Sequence, residues 1–335
     1  MSAFIKHISV YIPDNKLSNE LLAEQFPEWT ADKVFSKLGV TERGIAADDE
    51  FVSDMAIKAT NQLCKDYYFN LDKVDFILLC TQSPDYFLPT TACIVQHKLG
   101  LRKNIGALDF NLGCSGYVYG LSLAKGLIVS KAAKNVLLIT SETYSRYIHK
   151  DDKSNKAIFG DGATATIISD EGELLIKDFI FGTDGAGAEN LIVKNGALRY
   201  KKGLNADYQD SDGNIRNDAN LYMNGPEVFN FTLRSVPELV KNTLQINGLG
   251  QADIDHFVFH QANKFMLDNL RKKIGVEKEK FHIFMDRTGN TVSSTLPIAL
   301  AELINRSKID TAQKILLAGF GVGYSWAGCV IENTV

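Results

Sequence analysis

Positive charge in excess is the first thing this sequence lacks. Its 36 lysines and arginines are outnumbered by 40 acidic residues, giving a formal net charge of −4. A nucleic-acid binder needs a basic field, so that class is excluded, although an acidic carrier protein can still dock on a local basic patch. Cysteine is scarce and unpatterned. The five positions, 64, 80, 93, 114 and 329, are odd in number and show no Cys-x-x-Cys spacing. A reduced, cytoplasmic chain without a metal site is expected. Long apolar runs are missing too, and no window approaches the ~18 uncharged apolar residues that mark a membrane span. The opening segment, Met-Ser-Ala-Phe-Ile-Lys-His-Ile-Ser-Val, is too short an apolar run for a signal peptide, and Lys6 and His7 interrupt it. What is present is 335 residues, 45% hydrophobic and 23% charged, enough for a large core in one or two domains.

The chain repeats itself. Leu71-Asp-Lys-Val-Asp-Phe-Ile-Leu-Leu-Cys80 and Gln251-Ala-Asp-Ile-Asp-His-Phe-Val-Phe-His260 each lead from an acidic turn into an apolar strand. A helical segment follows each, ending at Gly100 or Gly275. Extended runs come next, 105–110 and 281–286, then an elbow with Gly113-Cys114 or Gly289-Asn290. A second helix and a second buried strand close each half, at 135–140 and 314–319. The strand-to-strand separations, Val74 to Val136 and Ile254 to Ile315, nearly coincide. Two halves of β-α-β-α-β order are predicted, divided at 1–170 and 171–335. The continuous apolar strands suggest mostly parallel sheets covered on both faces. Residues 170–222 read as less regular, with a solvated, turn-rich loop at Asp207–Asp218 whose spacing only superficially resembles a calcium loop. The pattern over 226–245 predicts a core helix.

Cys114 is the leading candidate nucleophile. It lies where an apolar run meets Gly113 and a helical pattern begins. A thiol in the first turn of a helix faces unpaired N–H groups and the positive end of the dipole, both favouring thiolate. The other four cysteines sit in apolar patterns and should react slowly. If the halves pack about a pseudo-twofold axis, His260 and Asn290 converge on Cys114 at the carboxyl ends of the strands. Taken singly, His260 reads as a core histidine and Asn290 as a helix cap. The glycine-rich run Gly319-Phe-Gly-Val-Gly323 allows backbone N–H groups to approach a reacting oxygen. A Cys…His…Asn order also fits a papain-like protease, with His roughly 130–150 residues beyond Cys. The flanking signature of that class is absent, and it gives no reason for a repeat.

Taken together, the motifs resemble the thiolase-like condensing enzymes, specifically the β-ketoacyl-acyl-carrier-protein synthase III family. The matching pieces are Gly39-Val-Thr-Glu-Arg43, Gly113-Cys-Ser-Gly116, Phe159-Gly-Asp-Gly-Ala163, His260-Gln-Ala-Asn263, Gly289-Asn-Thr291 and the loop 319–323. They keep the family's order over nearly the whole chain. The resemblance implies an α/β protein with the thiolase-like five-layered α-β-α-β-α fold, built from two pseudo-twofold-related halves, and a homodimer. It implies a decarboxylative Claisen condensation with no cofactor. Cys114 would take an acyl group from acyl-coenzyme A or an acyl-carrier thioester. His260 and Asn290 would donate hydrogen bonds to the carbonyl of malonyl-acyl-carrier protein. The N–H groups of Cys114 and Val322 would hold the oxyanion.

Some positions depart from the family pattern. Where the resemblance implies a Trp and Arg clamp on coenzyme A, this chain has Lys33, Lys37 and Lys153, with Trp29 nearby. Lysine holds phosphate but lacks a planar face. The pocket-lining aromatic expected before Pro89 is Leu88, with Phe87 adjacent. Beyond Ala262, a basic docking position is Phe265, and Lys264, Arg271, Lys272 and Lys273 are the candidate carrier-docking residues. A specialised starter or polyketide-type synthase, and an inactive scaffold, are the alternatives within this resemblance.

Overall fold

In the computed structural model, which describes residues 2–200, 206–306 and 309–335, the apolar runs pair into one hydrogen-bonded sheet of ten strands. The first five are β1 (Phe4–Tyr11), β2 (Phe76–Cys80), β3 (Gly106–Phe110), β4 (Asn135–Glu142) and β5 (Gly162–Ser169). The second five are β6 (Leu174–Thr183), β7 (His256–Phe259), β8 (Phe281–His282), β9 (Lys314–Gly321) and β10 (Ser325–Asn333). The order is β3-β2-β4-β5-β1 in one set and β8-β7-β9-β10-β6 in the other, the same order twice. The two sets join where β1 meets β6, at Phe4 opposite Leu175 and Ile5 opposite Leu174.

The expectation of mostly parallel sheets is corrected. Only β3-β2-β4 and β8-β7-β9 are parallel; the remaining pairings, including β5 against β1 and β10 against β6, are antiparallel. Burial on both faces explains the apolar runs in either case, so run composition cannot report strand direction. The segment 170–222 is also more regular than expected at its start, because Leu174–Thr183 is a full strand. The loop around Asp210 is anchored rather than merely solvated. Asp210 accepts hydrogen bonds from Asn214 and Arg216, and both of these partners are buried.

Helix composition explains the layers. Helices α1 (Val52–Tyr67) and α2 (Thr91–Lys98) cover the outer face of the first set, with Val52, Met55, Ala59 and Leu63 of α1 on one buried stripe. Helices α4 (Gly225–Ile246) and α5 (Lys264–Ile274) cover the outer face of the second, again through a stripe: Val228, Phe231, Val236, Leu239, Val240 and Leu244 of α4. Helices α3 (Gly116–Val129) and α6 (Thr295–Arg306) lie between the sheet halves. The α3 sequence is largely apolar, as a helix packed between two sheet layers requires. The result is five layers, helix, sheet, helix, sheet, helix. The elbows before α3 and α6 therefore meet in the middle of the molecule.

Candidate active site

Cys114 sits on the elbow between β3 and α3. It lies just outside the helix rather than in its first turn: Ser115 is the cap and Gly116 the first helical residue. The turn closes through Gly116 N–H donating to the Gly113 carbonyl at 2.8 Å. The glycine-rich run is not a free loop. Gly319 and Gly321 belong to β9, and Val322–Tyr324 turn the chain into β10. A Cβ on Gly319 would lie 2.8 Å from the Cys114 carbonyl, and one on Gly321 would lie 2.9 Å from the Cys114 sulfur. Glycine is needed there because β9 runs against the elbow. That approach aims the Val322 N–H at the sulfur, alongside the N–H of Cys114 itself.

These two N–H groups favour thiolate, but they do not win. Burial and the nearby Glu142 carboxylate push the thiol up to about 12. The expectation of a resting thiolate is therefore corrected: Cys114 is buried, and its proton stays on near neutral pH. Of the other cysteines, Cys80 and Cys329 are buried and Cys64 is half-buried, but Cys93 is exposed on α2 and is not shielded as its apolar neighbours suggested.

Glu142 was missed by the sequence reading. It ends β4 fully buried and accepts from the Ser293 hydroxyl at 2.7 Å, the Ser83 hydroxyl at 3.0 Å and the Gln82 N–H at 3.1 Å. Burial raises its carboxyl to about 7 despite those donors. An acid ending an otherwise apolar strand run was the available signal.

His260 and Asn290 arrive from the second half. His260 follows β7, its N–H donating to the Ala318 carbonyl at 2.8 Å. Burial lowers its imidazole to about 3, so the ring is neutral. Its Nδ1 lies 2.6 Å from Thr295 Oγ1 at the start of α6. Asn290 accepts from the Val292 N–H through Oδ1 at 2.9 Å. That bond fixes the amide, so the NH2 group is the part left to serve as a donor. Val292 adopts φ 56°, a strained choice for a β-branched residue. Thr291–Thr295 is a run of buried residues with four hydroxyl side chains, and its role also escaped the sequence reading.

Cys114, His260 and Asn290 line one cavity of about 50 Å³, room for a short acyl group or a few waters. Ala262, Tyr144, Met266 and Val322 also line it. The other expected binding residues lie elsewhere. Leu88 is 82% exposed, as is Phe87, so neither lines the cavity of its own chain. Phe265 is exposed and stacks on Phe229 with ring centroids 5.5 Å apart. Lys33 and Lys37 are exposed on the helix Ala31–Leu38; Lys33 donates to the Glu28 carbonyl, and Lys153 pairs with the Glu28 carboxylate at 2.9 Å. Trp29 packs beside Leu22 and Val34. Lys264, Arg271 and Lys272 share a groove of about 660 Å³ with Phe35 and Lys278. Lys264 is paired with Asp268 at 2.7 Å, and Arg271 donates to the Val276 carbonyl at 3.0 Å. Lys273 faces a different groove, beside Lys241.

A doubled sheet with a cysteine on one central elbow and an asparagine on the other defines a thiolase-fold enzyme of the condensing kind. Family models agree. That of the 3-oxoacyl-[acyl-carrier-protein] synthase III domain matches residues 108–188, and that of its C-terminal domain matches 244–333. A β-ketoacyl-[acyl-carrier-protein] synthase III of Clostridium perfringens is 35% identical over 324 residues, 96% of this chain and 97% of that protein. A solved 3-oxoacyl-(acyl-carrier-protein) synthase III superposes with a TM-score of 0.96 at 48% identity, over 99% of this chain and 100% of the other. The priming β-ketosynthase of the R1128 polyketide pathway superposes with a TM-score of 0.87 at 26% identity, over 99% and 96%. The chain belongs to the 3-oxoacyl-[acyl-carrier-protein] synthase III family.

Proposed function

We propose that the protein joins an acyl group held on Cys114 to a malonyl thioester, with loss of CO2, to give a 3-oxoacyl thioester. The observation that carries this reading is the sulfur of Cys114 facing two backbone N–H groups in a cavity it shares with the Asn290 amide and His260. In the first half-reaction the sulfur attacks the carbonyl of an acyl thioester, and the departing thiol leaves protonated. The N–H groups of Cys114 and Val322 stabilise the tetrahedral oxyanion. In the second, a malonyl thioester loses CO2 and negative charge builds on its thioester oxygen. The Asn290 NH2 group and the His260 imidazole donate to that oxygen. The carbanion attacks the acyl carbon, and Cys114 departs as the leaving group. A protease reading has no use for the duplicated scaffold.

The malonyl donor is carried by an acyl carrier protein in this reading, docking on the groove of Lys264, Arg271, Lys272 and Lys278. The primer is acyl-coenzyme A or a carrier-bound acyl group. Two ammonium groups at Glu28, those of Lys33 and Lys153, without a flat clamp favour a specialised starter synthase over one dedicated to acetyl-coenzyme A. We place the enzyme in the cytoplasm as a homodimer of chains that each contain halves 1–170 and 171–335. The exposed Tyr86, Phe87 and Leu88 and the edge strand β3, with Leu108 also exposed, support self-association. Incubation with a panel of acyl thioesters, followed by intact-mass analysis, tests the reading. An adduct that disappears on addition of malonyl-carrier supports it, and no adduct with any donor contradicts it.

A further inference from the structure

The cavity at Cys114 has largely apolar walls, built by Phe159, Leu191, Met223, Val228 and Phe320. Beyond the three reacting side chains, two polar groups on its lining are tied to the fold. The Thr232 hydroxyl donates to the Val228 carbonyl at 2.8 Å, and Asn263 Oδ1 accepts from the Met266 N–H at 2.8 Å. Tyr144 differs from both. It lines the cavity and is only 4% exposed, yet its hydroxyl makes no hydrogen bond among the described residues. Its neighbour Tyr147 shows the usual outcome, donating its hydroxyl to the Gln82 carbonyl at 2.7 Å.

Packing holds the Tyr144 phenol where it is. The ring stands edge-on to Tyr147, with centroids 5.6 Å apart, and lies against Phe159 at 5.2 Å. The backbone is tied on both sides. The Thr143 N–H donates to Ser83 Oγ at 3.0 Å, and the Ser145 N–H donates to Asp161 at 2.9 Å. A buried hydroxyl without a partner is costly, so its partner is whatever fills the cavity: water at rest, a substrate atom when Cys114 is loaded. Burial, and then the nearby Cys114 sulfur, keep the phenol protonated, so it can donate as well as accept. The sulfur receives the N–H groups of Cys114 and Val322 and not the phenol.

We propose that Tyr144 is a specificity-determining residue whose hydroxyl pairs with a neutral oxygen on the chain of a short primer, so that Cys114 prefers a hydroxyacyl or oxoacyl group to an alkyl group of the same size. The proposal rests on the acyl-transfer reading of Cys114 and gives the specialised primer a chemical class. The oxygen is neutral because no lysine or arginine lines the cavity, and a carboxylate on the chain would be buried without a counter-ion. The chain is short because the cavity holds about 50 Å³. An alkyl primer displaces water from the phenol and offers no bond in return, which is the basis on which a polar site rejects an apolar isostere.

The test uses pairs of coenzyme A thioesters that differ by a hydroxyl against a methyl group: 3-hydroxybutyryl against 3-methylbutyryl, and lactyl against isobutyryl. Single-turnover acylation of Cys114 is measured for wild type and Tyr144→Phe. The readout is the ratio of rates within a pair, so a general loss of activity cancels. Wild type should favour the oxygenated member of at least one pair by about 10-fold to 100-fold, the scale of one buried hydrogen bond left unmade. Tyr144→Phe should bring that ratio close to one. A wild type without preference in either pair would overturn the proposal, and so would a preference that survives in Tyr144→Phe. If Tyr144→Phe fails to fold, the wild-type ratios still decide. If no thioester loads wild-type Cys114, the acyl-transfer reading fails instead. Protection of Cys114 from iodoacetamide by 3-hydroxybutyramide and by 3-methylbutyramide then decides on Tyr144: the hydroxyamide should protect at the lower concentration, and equal protection would contradict the pairing.

Discussion

The two halves of the sheet place different chemistry at matching positions. Phe76 of β2 lies opposite Val136 of β4 as His256 of β7 lies opposite Ile315 of β9. By that register Cys80 corresponds to His260. Cys80 is sealed in the core with its thiol on the Leu112 carbonyl at 3.0 Å, whereas His260 opens on the cavity. Glu142 and Gly321 correspond in the same way, each ending an eight-residue strand beside Cys114. An acid is tolerated in the first half because hydroxyl and N–H donors surround it. Only glycine fits in the second, because the Cys114 sulfur occupies the space of a side chain. Duplication supplied the positions, and local neighbours decided which could hold a nucleophile, an acid or a donor.

The sharpest way to break this comparison is to give the second half a side chain it has no room for. Gly321→Ala puts a methyl group 2.9 Å from the sulfur, so the elbow must move. Misplacement on the ångström scale costs about 10²-fold, and single-turnover acylation should fall by that factor while the melting temperature changes modestly. An unchanged rate would show that β9 does not set the position of Cys114.

Asn290→Ala removes a donor the second half contributes. Malonyl decarboxylation should fall about 10²-fold, the scale of one lost oxyanion donor, with acylation of Cys114 little changed. Equal loss in both assays would mean that the two elbows do not divide the reaction.

Glu142→Gln tests the acid of the first half. Glu142 titrates near 7 and its charge raises the Cys114 thiol. Above that pH the wild-type carboxylate is ionised, and neutralising it lowers the thiol pKa. Alkylation of Cys114 by a neutral reagent at pH 8.5 should therefore speed up by about tenfold for each pKa unit recovered. Below pH 6 the wild-type carboxyl is itself protonated, and the two rates should converge. Parallel curves at every pH would remove Glu142 from the account. Labelling must be read at Cys114 by peptide mapping, since Cys93 is exposed.

The smallest effect is expected at the surface. Lys272→Glu with Lys278→Glu leaves the Arg271 bond to Val276 in place and reverses charge in the groove. KM for a malonyl-carrier substrate should rise several-fold at low salt, and less at high salt as screening shortens the field. A small malonyl thioester should be used as before. Unchanged carrier kinetics at low salt would move docking away from this groove.

Much of the architecture was legible because burial leaves a strong signature. The apolar runs at Phe76–Cys80 and Lys314–Gly321, and the glycine elbows at 113 and 289, announced the repeat and its central cleft. Strand direction was not legible, since β5 and β10 are as apolar as their parallel neighbours. The protonation of Cys114 was misread because the helix start was visible in the sequence, while Glu142 becomes a neighbour only through the packing of β4. Thr295 looked like one hydroxyl among several in Thr291–Thr295, and only its contact with His260 Nδ1 separates it from Ser293 and Ser294. Leu88 was placed by resemblance to a pocket, but its own chain leaves it on an exposed loop.

The most direct test of the division between the halves is sequential intact-mass analysis of wild type, Cys114→Ala and Asn290→Ala, first with an acyl thioester and then with a malonyl-carrier substrate. Wild type should gain one acyl group on Cys114 and then lose it as a 3-oxoacyl product. Cys114→Ala should gain none, and Asn290→Ala should gain the group and retain it. An adduct on Cys114→Ala, or prompt discharge from Asn290→Ala, would contradict the account.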